Sequence, residues 1–146
     1  MFSRAVAMLV AALIMIASGF PIGPESWRAA GLGSAEAGEA QPSFSTITSD
    51  QLAARLARKD FFFINVHVPY EGEIEQTDAF IQFDMIAENL DRLPQDRNAE
   101  IVLYCRSGRM SEIAANDLAS RGFTQVSHLA GGMIDWQRSG HQILQR

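Results

Sequence analysis

The sequence predicts an α/β sandwich, with a mainly parallel central sheet flanked by helices in three layers. Residues 61–68 (Phe-Phe-Phe-Ile-Asn-Val-His-Val) are too apolar to face water on either side, as befits a strand buried between helix layers. Residues 100–104 (Glu-Ile-Val-Leu-Tyr) repeat the pattern forty residues on. Between and after these runs, apolar residues recur at helical spacing, and strands that alternate with helices imply parallel pairing through crossovers.

The chain of 146 residues divides into three parts. Residues 1–20 hold one early charge, Arg4, and then an uninterrupted apolar and small run from 5 to 17. Thirteen residues fall short of the roughly 20 that span a bilayer but suit a secretory leader. Small-residue cleavage patterns follow at Ala17-Ser18-Gly19 and at Ala35-Glu36-Ala37. Residues 1–20 are therefore expected to be a signal peptide or membrane anchor, and the protein to be exported to a periplasm-like compartment, released or tethered through its N-terminus. Residues 21–43, rich in Gly, Ala, Pro and Glu, read as a flexible linker. The folded domain is expected over 44–146.

Within it, Thr48 and Gln51 form a capping-box pattern ahead of a short helix carrying Leu52, Ala53 and Leu56. The 61–68 strand stops at Pro69, and an acidic loop follows with Glu71, Glu73, Glu75 and Asp78. Residues 79–83 read as a brief strand, and Ile86, Leu90 and Leu93 as a helix stopped by Pro94. After the 100–104 strand, residues 111–121 read as a helix with Ile113, Ala114 and Leu118 inward and Gly122 as its stop. Residues 125–129 give another strand, Gly131-Gly132 a turn into a last short helix, and 142–144 a segment that closes the sheet.

Lys and Arg number 12 against 17 Asp and Glu, a net charge of −5. Nucleic acid is excluded as a main partner, since phosphate binding needs a basic stripe. One cysteine, Cys105, excludes an intramolecular disulfide and any multi-cysteine metal site. It leaves room for a nucleophile. Cys105 follows a buried strand and stands six residues before Ser111, where a helix starts, with Arg106, Ser107, Gly108, Arg109 and Met110 between. In open α/β sheets sites form at the carboxyl ends of strands, and a helix start offers unpaired N–H groups and a partial positive charge. Gly108 lets the loop aim several N–H groups at one point, a cradle that stabilises a thiolate. Arg106 and Arg109 add positive charge.

Tyr104-Cys105-Arg106-Ser107-Gly108-Arg109-Met110-Ser111 resembles the active-site loop of rhodanese domains. The 63–69 strand end, Gly122-Phe123, and the run Leu129-Ala130-Gly131-Gly132-Met133-Ile134-Asp135-Trp136 agree in order and spacing. The resemblance covers about a hundred residues. It implies a rhodanese-like sandwich and a sulfurtransferase: Cys105 takes a sulfane sulfur as a persulfide from thiosulfate or a persulfide donor. The acceptor would be a thiol or cyanide, the binding loop Arg106, Ser107, Gly108, Arg109, Met110 and Ser111. A cysteine phosphatase of the C-x5-R type would need Arg at 111 to fork onto phosphate, where this chain has Ser111.

Departures from the pattern matter. The usual Asp-Val-Arg stands here as Asn65-Val66-His67, and Arg is common where this chain has Met110. The stretch often reading Gly-His-Ile-Pro-Gly-Ala stands as Gly72-Glu73-Ile74-Glu75-Gln76-Thr77. Asn65, His67 and Glu71 are accordingly placed on the rim of the site, His67 reading equally as a surface residue at a strand end. These departures also support an alternative, a non-catalytic module that presents its acidic loop to a protein partner. His128 and His141 read as structural, as do Met133 and Trp136, and Gly131-Gly132 as a turn lying against the active-site loop. No cofactor or metal is expected, because neither metal-ligand spacing nor a nucleotide fingerprint is present.

Overall fold

The computed structural model describes residues 41–146. The expected leader at 1–20, and all of the expected linker before residue 41, lie outside the described residues. Five strands form one sheet in the order β1-β5-β4-β2-β3, and every pairing is parallel. In chain order the elements are β1 (Ser45–Ile47), α1 (Ser49–Leu56), β2 (Phe62–Asn65), β3 (Ala79–Phe80), a 3-10 helix (Ala87–Arg92), β4 (Ile101–Tyr104), α2 (Arg109–Ser120), β5 (Val126–Leu129) and α3 (Gly132–Arg138). The sheet with helices on both faces is the sandwich that the sequence predicts.

Side-chain alternation along the central strands builds a core on each face. Ile101, Leu103 and Cys105 of the β4 run share one cluster with Ile64, Val66, Ala114 and Leu118, under α2. Val102 and Tyr104 share the other with Phe63, Leu52, Leu56, Met133 and Trp136, under α1 and α3. The alternation therefore delivers Cys105 to the α2 face.

Local signals explain most boundaries. Thr48 Oγ1 accepts from the Gln51 N–H at 3.2 Å, and Gln51 Oε1 accepts from the Thr48 N–H at 2.9 Å, completing the capping box. Helix α2 ends in a Schellman motif: Gly122 (φ 88°) donates to Ala119 O at 3.0 Å and Phe123 to Leu118 O at 3.2 Å.

Four expectations are corrected. Helix α2 starts at Arg109 rather than Ser111. Its buried stripe is Ser111, Ala114, Ala115 and Leu118, so Ile113, about 200° round from Ser111 at 100° per residue, faces outward and is 47% exposed. The 86–93 stretch winds as a kinked 3-10 helix, with Ile86 and Leu93 buried at its ends. Residues 142–144 do not close the sheet: Leu144 makes a single antiparallel bridge to Glu73, and the edge beside β5 is taken by β1.

Candidate active site

Cys105 comes one residue after β4 and is 1% exposed. Its Sγ accepts a hydrogen bond from the Gly108 N–H at 3.1 Å, so the loop already aims one amide at the sulfur. Gly108 holds φ at 96° and caps α2, a conformation that costs an L-residue strain. The next three amides, of Arg109, Met110 and Ser111, are first-turn N–H groups with no acceptor inside the helix.

The loop is held from behind by α3. Its first-turn amides donate to loop carbonyls, Met133 N–H to Cys105 O at 2.9 Å and Ile134 N–H to Arg106 O at 3.0 Å. In a trans peptide the N–H points opposite to the C=O, so these two bonds turn the Arg106 and Ser107 amides away from α3. A Cβ on Gly132 would overlap the Cys105 carbonyl oxygen. That overlap explains the second glycine of the Gly131-Gly132 turn, which does lie against the active-site loop.

Each loop residue has a distinct place. Ser107 is exposed, and Arg109 is exposed with no ion pair among the described residues. Met110 is half-buried against the α2-side core. Ser111, the third residue of α2, is buried; its Oγ donates to Gly108 O at 2.9 Å and lies 3.2 Å from His128 Nδ1. Arg106 Nη1 stands 3.2 Å from both carboxylate oxygens of Glu71, and Glu71 Oε2 is also 3.2 Å from His67 Nε2. Glu71 is thus on the rim. His67, at a strand end, is buried beneath it.

Asn65 is not on the rim. It is fully buried, and its amide ties the loop that follows β2: Nδ2 donates to Gly72 O at 2.9 Å and Oδ1 accepts from the His67 N–H at 3.0 Å. An uncharged amide does here what one carboxylate could not, donating and accepting at once. Tyr104 performs a similar service, its hydroxyl accepting from the Ile74 N–H at 3.0 Å and standing 2.7 Å from Thr77 Oγ1. Burial pushes the Tyr104 phenol well above its usual range.

The acidic loop is largely neutralised. Beyond the Glu71 pair, Glu73 Oε1 meets Arg146 Nε at 2.6 Å and Asp78 Oδ2 meets Lys59 Nζ at 2.6 Å. Only Glu75 of the four is exposed without an ion pair among the described residues.

His128 is the contributor whose tie to the site the sequence conceals. Register places it opposite Leu103, two residues before Cys105, on the α2 side where Ser111 waits. Thr46 Oγ1, from β1, is 3.2 Å from its Nε2. Burial lowers its pKa below the ordinary imidazole value, against the opposing pull of the Glu112 carboxylate. No cluster of three His, Cys, Asp or Glu side chains able to hold a metal ion occurs among the described residues.

Residues 48–139 match the family described as Rhodanese-like domain. A protein named sulfurtransferase from Allochromatium vinosum is 34% identical over 101 residues, covering 67% of this chain and 92% of its own. The "Probable adenylyltransferase/sulfurtransferase MoeZ" of Mycobacterium tuberculosis is 36% identical over 99 residues, 64% of this chain but 25% of that protein. A tRNA uridine(34) hydroxylase of Yersinia enterocolitica is 28% identical over 66% of this chain and 29% of its own. Among solved structures, a rhodanese-like domain protein from Staphylococcus aureus superposes with a TM-score of 0.58 at 26% identity, covering 69% of this chain and 99% of that one.

Proposed function

The chain belongs to the rhodanese-like domain family, and from that premise we propose that it is a sulfurtransferase carrying sulfane sulfur on Cys105. The observation that carries this reading is the Gly108 N–H directed at Cys105 Sγ at the mouth of a helix with three free amides. In the first step the Cys105 thiolate attacks the sulfane sulfur of thiosulfate or of a persulfide. A new S–S bond forms on Sγ, the donor's S–S bond breaks, and sulfite or a thiolate leaves with the electron pair. The added sulfur lies beyond Sγ, where the loop amides stabilise its negative charge. In the second step a thiolate or cyanide attacks that outer sulfur and Cys105 leaves as thiolate, ready for another cycle.

The alternative, a module presenting an acidic loop, draws little support from a loop in which Glu71, Glu73 and Asp78 are already paired. Mass spectrometry decides between them. Incubation with thiosulfate or a small persulfide should add one sulfur atom to the protein, removable by dithiothreitol and absent from Cys105→Ser. No adduct with any of several donors would overturn the transferase reading.

The proposal includes a place of action. The apolar run at 5–17 supports export, and N-terminal sequencing of the protein from fractionated cells tests it. An intact Met1 on soluble cytoplasmic protein would refute it.

A further inference from the structure

Resting on the sulfur-transfer reading, we infer that His128 is a positioning residue for the Cys105 cradle. Through the Ser111 hydroxyl it holds the Gly108–Arg109 peptide in the orientation that turns the Arg109 amide toward the sulfur. His128 is buried and meets α2, on the face of the sheet that also receives Cys105.

Three contacts fix the imidazole. Phe44 meets it edge-on with 5.4 Å between ring centres, Thr46 Oγ1 stands 3.2 Å from Nε2, and Ser111 Oγ stands 3.2 Å from Nδ1. The Ser111 hydroxyl donates to Gly108 O at 2.9 Å, so Nδ1–H is the donor of the serine–histidine pair. With Nδ1–H directed at one lone pair of Oγ, the hydroxyl hydrogen turns away from the ring and onto Gly108 O.

Gly108 O takes a second hydrogen bond from the Glu112 N–H at 3.0 Å. Together the two donors fix the plane of the 108–109 peptide. That peptide is trans, so the Arg109 N–H points opposite to the carbonyl. It leaves the helix start on the side where the Gly108 N–H meets Cys105 Sγ at 3.1 Å. Gly108 has no side chain to hold this plane itself, and glycine backbone is the most easily turned. The amides of α3 hold the Cys105 and Arg106 carbonyls; Ser111 and His128 hold that of Gly108. Both clamps reach the loop from the β5–α3 segment, His128 from the strand and Met133 and Ile134 from the helix.

Sulfur loading by thiosulfate, measured on the full chain per folded molecule, provides the test. The variants are His128→Leu, which fills the space without a donor, His128→Asn, whose amide offers an N–H near the place of Nδ1, and Ser111→Ala, which removes the hydroxyl that carries the effect. We expect the saturated loading rate to fall about tenfold in His128→Leu and in Ser111→Ala. That is less than the roughly 10²–10³ lost when a transition-state donor is removed outright, because the amide is misaimed and not absent. KM for thiosulfate should change little, and His128→Asn should recover most of the rate. The double variant Ser111→Ala/His128→Leu should be no slower than Ser111→Ala alone, since both changes act through one hydroxyl. Iodoacetamide should alkylate Cys105 more slowly in the same order. A merely structural role would lower urea midpoints and leave these rates, taken per folded molecule, alike. Wild-type rates in Ser111→Ala, or equal losses in His128→Leu and His128→Asn, would overturn the inference, and Ser111→Ala decides by itself should His128→Leu fail to fold. If the wild-type chain takes up no sulfur, the transferase reading falls, and the alkylation series still decides whether His128 positions the loop.

Discussion

The single hydroxyl hydrogen of Ser111 is committed to Gly108 O at 2.9 Å, so the 3.2 Å contact with His128 Nδ1 requires the histidine to donate. The network thereby assigns the Nδ1–H tautomer, with Nε2 left to accept from Thr46 Oγ1. The result is a directed chain from β1 through β5 and α2 to the carbonyl of Gly108, the residue whose own amide meets Cys105 Sγ.

Protonation of His128 would add a second donor where the chain needs an acceptor. Because burial lowers its pKa in the fold from 6.5, the unfolded chain binds this proton first on acidification. Stability from this group is thus present above about pH 6.5 and lost as pH falls below it. Urea midpoints measured between about pH 8 and about pH 5 should decline more in the wild type than in His128→Asn, the difference isolating this histidine from His67 and His141. Parallel declines would refute the assignment.

Gly132→Ala should be far more damaging than a helix-start substitution usually is. Left-handed backbone alone costs about 1–2 kcal/mol, and the added methyl would also overlap the carbonyl oxygen of Cys105 and the carbonyl of Arg106. The loss should therefore exceed that figure in chemical denaturation. Where the protein still folds, iodoacetamide should modify Cys105 at an altered rate, since the displaced loop carries the cradle. Gly122→Ala meets no atom within 4 Å and should cost only the backbone strain.

The two-faced strands and the position of the cysteine loop were legible because each leaves a local mark: alternation through buried positions, and a cysteine between a strand and a helix start. What escaped depended on distance in sequence. β1 has three residues of which only Ile47 is buried, too little pattern to announce a strand, and its place follows from pairing with β5. The sequence places Asn65 on the rim because its two partners sit on a loop whose path the sequence does not reveal. The tie between His128 and Ser111 arises from register between β4 and β5, as does the one between Thr46 and His128 across β1 and β5. Helix α2 was placed two residues late because Gly108 caps it through backbone geometry, without a side chain to signal it.

Tyr104→Phe tests how far the loop after β2 depends on one hydroxyl. The change leaves the buried Ile74 N–H without its acceptor and removes the 2.7 Å contact to Thr77 Oγ1, which still donates to Ile74 O at 2.7 Å. An unsatisfied buried amide costs about 1–3 kcal/mol, and the urea midpoint should fall accordingly. Sulfur loading of Cys105 should persist, because the hydroxyl belongs to the opposite face of β4.

Arg109 and Arg106 should differ in their importance for an anionic donor. Both flank the cradle, but Arg106 is already paired with Glu71, whereas Arg109 stands at the first position of α2 without an ion pair among the described residues. A dianion such as thiosulfate gains more from an uncommitted cation at a helix start, where the free amides add their own partial charge, than from one whose charge is offset. Under the proposed mechanism Arg109→Gln should therefore raise KM for thiosulfate in persulfide formation by about threefold, the scale of an exposed charge contact, with kcat little changed because that mechanism places sulfur attack at Cys105. Arg106→Gln alone also leaves the Glu71 carboxylate unpaired beside the site, so the comparison needs the double variant Arg106→Gln/Glu71→Gln, which removes a balanced pair and should raise KM less than Arg109→Gln. A larger KM effect in the double variant would mean that donor binding breaks the contact with Glu71, and would transfer the role of anion anchor from Arg109 to Arg106.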